Sequence, residues 1–249
     1  MTPQETAPKP AAAPRPVPRA DAHPFGVTAA DPYGLADADL ALISLGRGTT
    51  ASTDAADDGL GEYAPASQVS FGKKQAIPAT YKAQITGAVS GKTLTVGGAA
   101  AVAVERITIN TAKGARATVA IAGHKHIGGT GTVHNDHART VDLPRFNGFG
   151  TSTFGLSLGV PAASLQSASY DVAFNHFDDD DGTGNFLCGS VVGEKHTASF
   201  EAVDETAWTI PNGWVEEAGQ PDGESDQSNA GHGRRKLTIV KYVARTPAE

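Results

Sequence analysis

The stretch "SYDVAFNHF", residues 169–177, alternates without a break: Tyr170, Val172 and Phe174 fall on one side of an extended chain, Asp171, Ala173 and Asn175 on the other. Successive side chains of a strand point to opposite faces, so this is the pattern of a half-buried β-strand rather than a helix. The alternation recurs on both sides of it. In "ERITIN" (105–110) Ile107 and Ile109 share a face against Thr108 and Asn110. In "KLTIVKY" (236–242) Leu237 and Ile239 oppose Thr238 and Val240, and Lys241 breaks the apolar face.

Working outward, short β-rich runs separated by Gly, Pro, Asn and Asp predict strands at 81–89, 92–96, 102–110, 116–122, 131–143, 153–160, 169–177, 186–192, 196–203 and 236–244. A parallel βαβ sheet needs a long crossover, usually helical, and no segment after residue 81 reads as one. No repeat of about 20–50 residues is present, which excludes a propeller or solenoid. The expectation is an all-β chain: one antiparallel β-sandwich of jelly-roll type over residues 81–249. Within it, the acidic, Gly-rich segment 212–235 reads as a long exposed loop.

Two segments precede that domain. Residues 1–24 are Pro/Ala-rich, and proline removes a donor and fixes φ, so they form an extended arm and no core. The arm is weakly basic, with Lys9, Arg15 and Arg19 against Glu5 and Asp21. Residues 25–80 read as irregular. One short helix is predicted over 37–45, with Asp37 as N-cap and Leu40, Leu42 and Ile43 partly buried. The Gly-punctuated run 46–67 reads as loop.

Charge and composition narrow the function classes. The formal net charge is −7, an acidic surface that argues against a body wrapping nucleic acid. Any such contact falls to the arm, through Arg15 and Arg19. The single cysteine, Cys188, allows no intramolecular disulfide. The first residues lack the apolar core of a signal peptide, and no run of about 18 apolar residues suits a membrane span. There is no nucleophile elbow, phosphate loop or dinucleotide fingerprint.

Two stretches carry metal-ligand chemistry. "GHKHIGGTGTVHNDH" (123–137) reads as a β-hairpin turning at its glycines. His124 and His126 then share a face, and loop parity chooses whether His134 or His137 joins them. The set His124, His126 and His137 matches the three protein ligands of a catalytic zinc site. Against that, no acid stands at a fixed offset as general base, and the hairpin reads as polar and exposed, at a surface or subunit contact. The second stretch, "FDDDDGTGNF" (177–186), crowds four carboxylates. Its spacing is not that of an EF-hand, but Asp178, Asp180, Asp181 and Asn185 offer oxygen ligands for a loop calcium, and no cofactor is required. Trp208 and Trp214 flank "TIPNG"; exposed, they are candidate contacts for a sugar or a partner protein, and buried, they fill a core.

In composition and layout the chain resembles the jelly-roll capsid proteins of non-enveloped viruses and phages, at the level of the fold. The resemblance rests on the arm, the single sandwich, the long loops and the lack of a catalytic constellation. It implies a non-enzymatic coat or cement subunit, made in a host cytoplasm and carried in the virion. Its partners would be copies of itself and other assembly proteins. Two alternatives remain: a calcium-assisted carbohydrate- or surface-binding sandwich, and a metal-dependent enzyme using the 124–137 histidines.

Overall fold

The structure, a computed structural model, describes residues 31–37, 39–57, 63–83, 92–96, 102–127, 132–133, 139–144, 149, 152–181, 185–203, 208–217 and 234–243. Arg15, Arg19, His134, His137 and most of the 212–235 segment lie outside them. The described residues form thirteen strands. They contain no helix, and therefore none long and apolar enough to cross a membrane.

An eleven-stranded sheet runs in the order β1 (Leu40–Leu45), β4 (Ala79–Ala83), β7 (Thr118–His126), β6 (Ala103–Ala112), β10 (Leu165–Asp180), β11 (Phe186–Val203), β13 (Arg234–Val243), β12 (Val215–Glu216). Off this path, β2 (Gly48–Asp57) pairs with β3 (Tyr63–Ala76), β3 also pairs with β7, and β8 (Thr132–Val133) pairs with β11. β8 on β11 is parallel; the other pairs are antiparallel. The second sheet is β5 (Thr93–Val96) with β9 (Arg139–Asp142). Its Leu94, Val96 and Val141 join the same buried cluster as the large sheet's apolar face, which makes the layers of a β-sandwich.

The alternation of 169–177 is resolved as a register. Leu42, Tyr81, Val119, Ile109, Tyr170, Ala198 and Ile239 are cross-strand partners in turn, in one transverse row over seven strands. All seven are buried. Slipping any of these strands by one residue would turn its apolar set to the other face, so the row fixes the register.

Three expectations are corrected. The helix over 37–45 is the strand β1. Asp37 Oδ1 does accept the N–H groups of Asp39 and Leu40, at 2.7 and 2.9 Å, as an N-cap would. The same bonds close an Asx-turn, and Leu40 and Leu42 then alternate inward and pair with β4. The run read as loop contains β2 and the start of β3. That hairpin pairs chiefly with itself and joins β7 only through Lys74–Ala76, so no apolar period marks it in the sequence. The strand expected at 153–160 is a turn carrying one Thr153–Leu156 bridge, with positive φ at Phe154 (56°) and Gly155 (76°).

A candidate metal centre at the end of β7

β7 carries Val119 and Ile121 into the core, so strand parity puts His124 and His126 together on the opposite side. Their rings meet edge to face, with Nε2 atoms 3.2 Å apart. What lies beside them is not the hairpin partner that the sequence suggested. After His126 the chain leaves β7; β8 joins β11 and β9 joins β5, while the end of β7 pairs with β3 and β6. The described return segment, β8, thus pairs with β11 and not with β7, and His124 is 3 % exposed, not on the surface.

Two acids reach the histidines through space. On β6 the register shifts between Val104 and Arg106, which makes Glu105 the extra residue of a bulge. Bulges re-aim side chains, and the Glu105 carboxylate receives a hydrogen bond from His124 Nδ1–H at 2.6 Å. That bond leaves the His124 Nε2 lone pair for a ligand. It also holds the Glu105 carboxyl below its ordinary value, against the opposing effect of burial.

The second acid comes from the long β10–β11 hairpin. β10 pairs with β6 only as far as Ala173 and then runs on past it. His176 on this extension hydrogen-bonds the Val104 carbonyl at 2.6 Å and sets its ring 5.5 Å from that of His124. Burial favours its neutral form. One step further, Asp178 places Oδ2 3.7 Å from His124 Nε2 and Oδ1 3.7 Å from His126 Nε2. Asp178 Oδ1 is buried and accepts no hydrogen bond from the described residues. Lys74, the direct cross-strand partner of His126, forms an ion pair with Asp178 Oδ2. Phe186 stacks on the His126 ring, with centroids 3.5 Å apart and planes 10° from parallel.

One ligand atom from each of His124, His126 and Asp178 lies within 4.8 Å of the others, the arrangement a metal ion needs. Tetrahedral zinc with Zn–N of about 2.05 Å would put neighbouring ligand atoms about 3.3 Å apart. The two imidazole nitrogens stand 3.2 Å apart and each lies 3.7 Å from a different Asp178 oxygen, so a single carboxylate oxygen, within 4.8 Å of both nitrogens, has to move inward to complete the set. Glu105 behind His124 completes a carboxylate–histidine pair, the usual outer partner of a metal-bound imidazole.

The acidic stretch 177–186 thus divides. Asp178, Asp179 and Asp180 belong to β10, and alternation sends exposed Asp179 away from Asp178. Asp181 Oδ1 accepts the Asn185 N–H at 2.9 Å within the turn, and the side chain of Asp180 lies outside the described residues. Trp208 and Trp214 both pack against the core. Trp214 covers a buried polar row on β10 and β11: Tyr170 OH lies 2.9 Å from His196 Nδ1, and the other ring nitrogen of His196 pairs with Glu194.

Sequence reasoning identified His124, His126 and Asp178 separately and did not join them. Glu105, Lys74 and His176 were missed; they are ordinary residues in the sequence, and only the register of β3, β6 and β10 brings them here. No family profile matches the chain, and no curated protein matches it.

Proposed function

We propose that the protein is a transition-metal-binding β-sandwich whose cation ties the β10–β11 hairpin to the end of β7. The observation that carries this is the convergence of His124 Nε2, His126 Nε2 and the Asp178 carboxylate on one point, with Glu105 bonded behind His124. Two imidazoles and one carboxylate suit zinc or a chemically similar cation. Calcium prefers six to eight oxygens, so this donor set discriminates against it. The ligands come from two strands far apart in sequence, so a bound cation cross-links the fold, a structural role. Elemental analysis of protein purified without a histidine tag tests the reading. It expects about one zinc-like ion per chain. A chain free of metal after growth in zinc, and unable to take it up, contradicts it.

A second reading, the coat or cement subunit, is favoured by large apolar side chains left in solvent. Phe177 and Leu187 on the β10–β11 hairpin are 59 % and 54 % exposed, and Val215 and Tyr242 near the sheet edge 59 % and 68 %. Such side chains suit contacts between subunits. Sedimentation tests it: large regular assemblies support the reading, and a monomer under all conditions contradicts it. The two readings are compatible, since a cation that fixes the hairpin also fixes Phe177 and Leu187.

A further inference from the structure

We infer that Lys74 is the built-in counter-ion of the metal centre, and that once a cation displaces it the site takes a small oxyanion, such as a carboxylate, between the cation and the freed ammonium. This rests on the metal-binding reading above.

Lys74 and His126 are directly opposed on β3 and β7, so their side chains share a face. The Lys74 ammonium pairs with Asp178 Oδ2, an oxygen of the carboxylate that the two histidines face. A divalent cation at that carboxylate and an ammonium on the same oxygen would be like charges about 4 Å apart, a strongly repulsive arrangement in a partly buried site. Lysine is a point charge on a flexible stem and yields readily. The Lys74 side chain is 30 % exposed against 11 % for Asp178, so it has solvent to move towards.

The charge count then reverses. With neutral imidazoles, Asp178, Glu105 and Lys74 sum to −1. A divalent cation brings the total to +1, with three protein ligands and a fourth position open. A monoanionic oxyanion in that position, within reach of Lys74, restores neutrality. Lys74 therefore weakens cation binding and strengthens anion binding, two effects of opposite sign from one residue.

The test uses cobalt(II) as a visible probe and acetate as the anion, on the full chain and on its Lys74→Met and Lys74→Arg variants, with circular dichroism to confirm folding. Lys74→Met should bind cobalt about tenfold more tightly, because the competing charge is gone. The cobalt absorption of the unmodified chain should shift on adding acetate, and that response should weaken about tenfold in Lys74→Met and persist in Lys74→Arg. Equal or weaker cobalt binding by Lys74→Met, or an acetate response that ignores the substitution, overturns the inference while leaving the metal centre intact. Failure of the unmodified chain to bind cobalt overturns the metal centre and this inference with it.

Discussion

Gly189 stands directly opposite Asp178 across the β10–β11 pair, and the carboxylate leans into the space a side chain there would fill. A Cβ at 189 would lie 2.5 Å from Asp178 Oδ1 and 3.2 Å from two ring atoms of Phe186. Real Cβ atoms do not approach so closely, so Gly189→Ala must push the carboxylate out of its place. The expected outcome is a folded protein with cation affinity about tenfold lower, a loss of the size seen when a ligand's support is disturbed. A zinc titration followed by competition with a coloured chelator measures it.

The ligands and their support should separate in size of effect. His124→Ala and His126→Ala each remove a donor, and Asp178→Asn strips the third ligand of its negative charge; each should abolish tight binding. Glu105→Gln keeps a hydrogen-bond acceptor for His124 but removes the charge, and should weaken binding about 10- to 100-fold. The same titration ranks the four. An unchanged affinity in His126→Ala would contradict the assignment of the donors.

A cation that binds only the folded chain must stabilise it. At 100 times the dissociation constant the gain is about 2.7 kcal/mol. Thermal melts should therefore shift upward with zinc, and with calcium at the same concentration should not, because calcium finds too few oxygens here. His126→Ala should remove the zinc shift.

Acid should release the cation. Protons compete with a cation for the imidazole nitrogens, so affinity should fall as the solution is acidified through the range in which histidine ordinarily gains its proton, with protons released on binding there. Glu105 is held below the ordinary glutamate range, first by its bond from His124, so its charge survives this window and is lost only at lower pH. A zinc affinity that stays flat across these pH values would contradict imidazole ligation.

Stability and metal binding should be separable. Ile109 lies at the centre of the transverse core row and is fully buried. Ile109→Ala should cost about 2–5 kcal/mol in chemical denaturation. It leaves the donor atoms untouched, so the folded fraction should still take up zinc with near-normal affinity.

What the sequence revealed follows where burial imposes a period. Tyr170, Val172, Phe174, Ile107 and Ile109 could be read as strand faces because one side of each of those strands is core; on β13 Leu237 and Ile239 are core, and Thr238 and Val240 opposite them are buried too. Leu40–Leu45 misled because an aspartate before a leucine-rich run caps a helix and closes an Asx-turn with the same bonds. β2 and β3 escaped because they pair mainly with each other. At the site, alternation correctly put His124 beside His126. The acid was sought within the hairpin, whereas Glu105 arrives by a bulge on β6 and Asp178 by the overhang of β10 beyond β6. Both depend on register, which no local pattern encodes. His137, the expected third ligand, lies outside the described residues, and Asp178, first read as a calcium ligand, meets the two histidines instead.

The most direct measurement is a calorimetric zinc titration of metal-stripped, untagged protein beside a His124→Ala/His126→Ala/Asp178→Asn variant. One tight site per chain is expected in the unmodified protein and none in the variant, with both giving the same β-rich circular dichroism. Equal zinc binding by the two chains, or no binding by either, would contradict it.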